Sequence, residues 1–380
     1  MSIVDDQQRP AATSRTVVPV ALDTAGVVSS AGVGLQPLAD AVRTGTAGGG
    51  QPPLAHEAED YPPLTLRPAD FPAADLLGPK GLNRLTRAEQ LGMAACTLAL
   101  GPVRDRSGTG VVLGSAVGSS AGVGRFTRDT FVQQRPDMVN PSAFPGTLMN
   151  AAAGRTAIRH GLTDANATVS GGPLASLHAL RFARNTLVAG HARRLLTGGV
   201  EELSPQNAWA WHRAGSLAPG TALGEGAAVF ALRTVPDGGT GEGPLALIMA
   251  VETGFAAGGP LAVARRLTTC VRDALARSGV GAADVAVVAP GAAGRRGWAA
   301  VEERALRAAL DGPDDRHLLR VQEVLGETHG ASGALQVAAV LARWHDPHLD
   351  TRGERAALVT SVGPDGSVGC AVLLHPHAGA

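Results

Sequence analysis

Cysteine is scarce: Cys96, Cys270 and Cys370 are the three in 380 residues, far apart and in no CxxC or Cys/His ligand spacing. That excludes a disulfide framework and a zinc site, and it fits a reducing cytoplasm. Excess charge is also missing. Lys+Arg and Asp+Glu balance at 33 each, so the broad field that would draw nucleic acid or anionic lipid is absent, and neither is expected as a partner. No run of roughly 18 apolar residues occurs. The opening MSIVDDQQRPAATSR is polar and lacks the roughly 7–15-residue apolar stretch of a secretory signal. Neither an export nor a membrane segment is expected, and the protein reads as cytoplasmic.

What is present is a core. With 44% apolar residues, the chain can bury one large core or two fused halves without staples. A strand is expected over Val17 to Leu22, followed by a helix from Leu35 to Thr44, with residues 1–14 a tail and Thr46 to Pro63 an irregular exposed loop. An alanine-rich helix from Thr86 to Leu100 and the strand Gly110 to Leu113 come next. Leu174, Leu177, Leu180, Ala183 and Leu187 recur at steps of three and four residues and share one helix face over Leu174 to Val188. The strand Arg194 to Leu196 and the apolar run Ala227 to Leu232 lead to a Gly/Pro loop at Pro236 to Pro244, read as the seam between two halves.

Beyond the seam the order repeats: strand Leu245 to Val251, helix Leu261 to Arg277, strand Val285 to Ala289, helix Ala300 to Leu310, a helix after Gly330, and strand Ala356 to Thr360. Strands alternating with helices in two similar blocks imply an α/β fold. The Gly114 to Gly118 stretch lacks GxxxxGK[ST] and reads as a strand-to-helix turn rather than a phosphate loop. The pairs Arg193-Arg194 and Arg295-Arg296 read as solvated, and the three cysteines as small buried hydrophobes.

Several segments, in order, resemble the ketosynthase branch of the thiolase superfamily over nearly the whole chain. Thr24 to Gly34 resembles its opening strand and turn, and Pro141 to Gly154 the approach to its active-site elbow. Thr197 to Glu201 is similar to its GGxE motif, Leu223 to Ala228 to GEGAA, and Gly326 to Ala334 keeps the frame of GHxxGAAGA. The resemblance implies a thiolase-like fold: two similar halves, residues 15–235 and 244–376, with mixed five-stranded sheets in an αβαβα layering. No metal or cofactor is implied.

The departures matter more than the matches. Ketosynthases use a cysteine nucleophile, two histidines and a lysine, and the resemblance puts Pro173 at the cysteine, Pro290 and Glu327 at the histidines, and Gln322 at the lysine. No thiolate can form at Pro173. The family's oxyanion hole uses the N–H of the cysteine and that of an aromatic in a GFGG loop, matched here by Pro364; proline has no N–H. Proline does suit the first position of a helix, so the elbow can keep its shape. His329 is expected to face away from this site, and His178, one turn into the helix, to be a structural histidine within reach of it.

A silent copy is useful in a ketosynthase dimer, where the acyl pocket of one subunit reaches toward the other. The chain resembles the chain-length factors of type II polyketide synthases, although those carry glutamine where Pro173 stands, which suggests a divergent subgroup such as the highly reducing, polyene-forming systems. The implied partners are an active ketosynthase subunit and an acyl carrier protein bearing a phosphopantetheine-bound chain. Phe126, Ser142, Ala143 and Phe144 are the implied pocket or chain-length residues. Two rival readings remain: a stand-alone enzyme reusing the cavity for another acyl transfer or cyclisation, with Glu327 or His178, and an acyl-carrier binding scaffold.

Overall fold

The computed structural model describes residues 17–46, 60–101, 105–235, 243–311 and 316–376. The expected tail and most of the seam loop and of the loop at 46–63 fall outside these. Strand β1 (Val20–Ser29) is followed by α1 (Leu35–Thr44) and α2 (Arg87–Leu100). Then come β2 (Thr109–Gly114), α3 (Ser120–Val132), α4 (Ala151–His160), β3 (Asn166–Val169), α5 (Ala175–Val188), β4 (Arg194–Glu201), α6 (Pro205–Ala214) and β5 (Gly226–Thr234). The second block holds β6 (Ala246–Phe255), α7 (Pro260–Ser278), β7 (Val285–Ala289), α8 (Trp298–Leu310), β8 (His317–Leu318), α9 (Ser332–Trp344), β9 (Ala356–Val362) and β10 (Ser367–Leu374).

The two blocks have one topology. Strands run in the order β3-β2-β4-β5-β1 in the first and β8-β7-β9-β10-β6 in the second. In each, the first three positions pair in parallel and the rest antiparallel. Val20 to Leu22 of β1 pair with Ala246 to Ile248 of β6 and join the blocks.

Burial sets the layers. Helices α5 and α9 lie in a central cluster with Phe230, Leu22, Val359 and Leu373 from both sheets. The outer face of the first sheet packs on α2 and α4, and that of the second on α7 and α8. The result is the expected helix–sheet–helix–sheet–helix stack. Nearly every residue of α9 is buried, which is why its alanine-rich sequence shows no polar face.

Two elements are longer than the sequence suggests. β1 continues through the glycine region to Ser29 because α2 lies directly on it. A β-carbon on Gly26 would meet the Ala95 carbonyl oxygen at 2.0 Å, so glycine here serves contact rather than a turn. β4 likewise runs on to Glu201, since a β-carbon on Gly199 would sit 2.0 Å from Ser176 Oγ of α5. The start of α2 is secured by a capping box in which Thr86 and Glu89 exchange hydrogen bonds of 2.6 and 3.3 Å. Among the described residues, no helix is long and apolar enough to cross a membrane.

Candidate functional site

At the end of β3, Gly171 and Gly172 turn the chain into a short 3-10 segment that leads into α5. Gly172 has φ of +53°, a conformation that glycine adopts freely. Pro173 follows, buried, and its carbonyl accepts a 3.1 Å hydrogen bond from Ser361 Oγ. Across from it, the hairpin between β9 and β10 carries Pro364. Both prolines line one cleft of about 630 Å³, with Trp211 of α6, Trp298 at the head of α8, Arg295 and His329. Neither proline offers an N–H to this space.

Behind the cleft lies a buried ion pair. Glu327 is 0% and Arg295 3% exposed, with Arg295 Nε 3.1 Å from Glu327 Oε2. The guanidinium also donates to the carbonyl oxygens of Val362 and, at 2.8 Å, Gly291. The other carboxylate oxygen accepts from the His329 N–H at 2.8 Å and Ser332 Oγ at 3.2 Å. The expectation that Arg295 is solvated is therefore corrected: a carboxylate in the interior requires a paired cation. Gln322 donates at 3.3 Å to the same Gly291 carbonyl, leaving its own side-chain oxygen unpartnered.

His329 does not face away from the site. Its ring lies edge-on to Trp211, centroids 5.3 Å apart, and its Nε2 lies 3.8 Å from where a β-carbon on Gly172 would be. Its backbone takes φ +46°, and its N–H donates to Glu327, a geometry that sequence register does not reveal. Burial lowers the His329 pKa, which Glu327 opposes less strongly. His178 packs on Gly171 and is half-buried.

Phe126 on α3 is half-buried and its ring is 5.9 Å from that of Phe144. Ser142, Ala143 and Phe144 are exposed on the 3-10 turn Pro141–Thr147. Large apolar side chains are exposed on α3, on this turn and on α4: Phe131 is 82%, Phe144 53% and Ile158 84% exposed. Helix α4 also contacts β3, whose outer edge has no partner strand among the described residues.

Residues 72–237 match the family model for the N-terminal domain of beta-ketoacyl synthases. A 3-oxoacyl-[acyl-carrier-protein] synthase 2 of Rhizobium meliloti (strain 1021) is 31% identical over 141 residues, covering 34% of this chain and 32% of that protein. The solved structure of the ishigamide ketosynthase/chain length factor is 33% identical, with a TM-score of 0.82 over 94% of this chain and 99% of that one. The chain belongs to the ketosynthase family. A further solved structure, a type II polyketide acyl-carrier protein in complex with its ketosynthase bound to the hexaketide, shares the fold at TM-score 0.76 and 17% identity, covering 94% of this chain and 99% of that one.

In this ketosynthase-family chain, Pro290 is not drawn into the cleft of Pro173 and Pro364. It ends β7 and lines a separate pocket of about 270 Å³ with Val288, Glu302 and Leu306. The loop after it is held by Glu302, which accepts from the N–H groups of Gly291 at 3.0 Å and Ala292 at 2.7 Å and from Thr360 Oγ1 at 2.6 Å.

The acids of the two family-like motifs brace loops in the same way. Glu225 accepts from Ala69, Leu203 and Arg87. Glu201 accepts from the N–H of Ala116 at 2.8 Å and that of Gly330 at 3.1 Å, next to His329. Burial raises the Glu201 carboxyl from 4.5 to about 8. Between those values the folded chain keeps a proton that the unfolded chain releases, so stability falls as pH rises through this window. Glu201→Gln should therefore flatten the decline in urea midpoint between about pH 4.5 and 8. Equal slopes for parent and variant would contradict this account of the Glu201 proton.

Sequence reasoning missed Arg295, Trp211 and Trp298 as cleft residues. Only one cue existed for Arg295: a glutamate placed inside a buried motif needs either a cation from somewhere in the chain or a retained proton.

Proposed function

We propose that the chain is a chain-length-factor subunit of a type II polyketide synthase, of the highly reducing, polyene-forming kind. It pairs with an active ketosynthase, walls that partner's acyl pocket, and forms no carbon–carbon bond itself. The observation that carries this reading is the pair of prolines, Pro173 and Pro364, at one cleft, where neither a thiolate nor a backbone donor can form. Pro173, Pro290, Glu327, Gln322 and Pro364 stand at the degenerate positions of the ketosynthase machinery. In this reading the acyl carrier protein delivers its phosphopantetheine-bound chain to the partner's cysteine.

Exposed large apolar side chains on α3, on the Pro141–Thr147 turn and on α4 support a partner. Phe131, Phe144 and Ile158 lie too open for a free surface, and patches of this kind mark interfaces. Obligate interfaces cover about 2,000 Å² or more. Co-expression with an intact ketosynthase should give a one-to-one complex on size-exclusion chromatography with light scattering, while the chain alone aggregates. A soluble monomer that ignores the ketosynthase would overturn the reading.

Pocket control should sit at Phe126, Ser142, Ala143 and Phe144. Phe126→Ala removes a ring from the end of the partner's tunnel and should lengthen products by at least one two-carbon unit. Ala143→Phe should shorten them, since packing extra atoms against a filled wall costs roughly 1–3 kcal/mol. Mass spectrometry of carrier-bound products reads both; identical length distributions in intact complexes would remove these residues from the tunnel.

A further inference from the structure

Two cysteines 100 residues apart in the chain meet in the fold. Cys270 is on α7 and Cys370 on β10, and their sulfurs lie 3.8 Å apart in the buried cluster between that helix and the outer face of the second sheet. Alternation along β10 brings this about: Val368, Cys370 and Val372 belong to the cluster under α7, while Ala371 and Leu373 belong to the central layer. On α7, Val263, Leu267, Cys270, Val271 and Ala274 recur at steps of three and four and share the face laid on the sheet. The third cysteine, Cys96, sits in a different cluster, under α2 of the first block.

The two thiols differ in their freedom to move. Cys370 is held in a strand paired on both sides, to β9 at Thr360 and to β6 at Glu252. Cys270 is on a helix whose opposite face, with Arg265, Thr269, Arg272 and Asp273, is exposed, so local opening of α7 can admit a small oxidant. Sulfurs in a disulfide are about 2.05 Å apart, so closure asks for a movement of less than about 2 Å. Cys370 Sγ donates to the Cys270 carbonyl at 3.5 Å, and its neighbour Cys270 together with burial raises its pKa. Cys370 therefore keeps its proton and suits the second of two steps.

We propose that Cys270 and Cys370 form an oxidisable pair which hydrogen peroxide converts to a disulfide, stapling α7 to β10. The Cys270 sulfur breaks the peroxide O–O bond and becomes a sulfenic acid, releasing one water. The Cys370 thiol then displaces the sulfenic oxygen as a second water, and the S–S bond forms. Two electrons leave the two sulfurs and reduce one peroxide to two waters. The site lies away from the cleft and does not depend on pairing with a ketosynthase.

The folded chain, alone or in its ketosynthase complex if recovered only that way, is treated with excess hydrogen peroxide, quenched, alkylated in denaturant and weighed. Three thiols should fall to one, Cys96, with a mass loss of about 2 Da before alkylation. Trypsin without reduction should give one linked species joining residues 267–272 to 356–380, with Cys96 alkylated in the peptide 88–104. Because the link closes a 100-residue loop, it should raise the urea midpoint, an effect that grows with loop length. Dithiothreitol should restore both thiols and the original midpoint. Cys270→Ser or Cys370→Ser should abolish the peroxide-induced rise and Cys96→Ser should keep it; the peptide map of the parent chain decides the case if a serine variant fails to fold. Three thiols still free after oxidation, oxygen added to Cys270 or Cys370 with no link, a link to Cys96, or a mapped link that leaves the midpoint unmoved would each overturn the proposal.

Discussion

Arg295→Ala should destabilise the fold by roughly 3–5 kcal/mol, the cost typical of stranding one partner of a buried ion pair. The variant leaves the Glu327 carboxyl fully buried without its cation. It also strips donors from the carbonyls of Gly291 and Val362, which belong to the loops after β7 and β9. Those loops meet behind the cleft, so the loss should loosen its rear wall. Glu327→Gln in the same chain should recover much of the loss, because a neutral amide is far cheaper to bury than a carboxylate. Urea denaturation of the two variants, alone and combined, gives the coupling. Additive effects would mean that the pair does not interact as its 3.1 Å contact requires.

The second large effect is an absence. Pro173→Cys restores a thiol and one backbone N–H at the elbow, yet condensation should stay at background. Pro364 still withholds the opposing donor, a loss worth about 10²–10³ in rate by comparison with single oxyanion donors. The family's two histidines are missing as well: a general base contributes roughly 10²–10⁴, and at their expected positions Glu327 is bound to Arg295 while Pro290 lies at another pocket. The chain's own cysteines cannot substitute. All three are buried, and burial pushes the Cys96 thiol up to about 12. That argues against the stand-alone acyl-transfer enzyme, which would need a nucleophile at the cleft. Carbon–carbon bond formation by Pro173→Cys without a partner would contradict this account.

Much of the architecture was legible because local rules and tertiary demands agree. Helix α1 spans Leu35 to Thr44 and β7 covers Val285 to Ala289, both as expected. Where the two diverge, a close contact decides. Gly26 and Gly199 look like turn residues in sequence, but each lies in a strand against a helix that leaves no room for a side chain.

The site was legible only in part. Pro173 and Pro364 could be found because proline's missing N–H is a property of the residue itself. Arg295 and His329 could not, since their roles depend on what surrounds them. An arginine reads as solvated until a buried carboxylate is seen beside it, and a histidine's direction depends on a backbone turned to positive φ. Periodicity has no access to either fact.

The central claim is that this subunit shapes a pocket and carries no acyl group. Intact-protein mass spectrometry of the reconstituted complex, after loading with an acyl-carrier thioester, tests it most directly. Acyl mass should appear on the ketosynthase alone and vanish when that partner's cysteine is replaced by alanine, with this chain unmodified throughout. A stable acyl adduct on this chain, retained when the partner's cysteine is gone, would contradict the account.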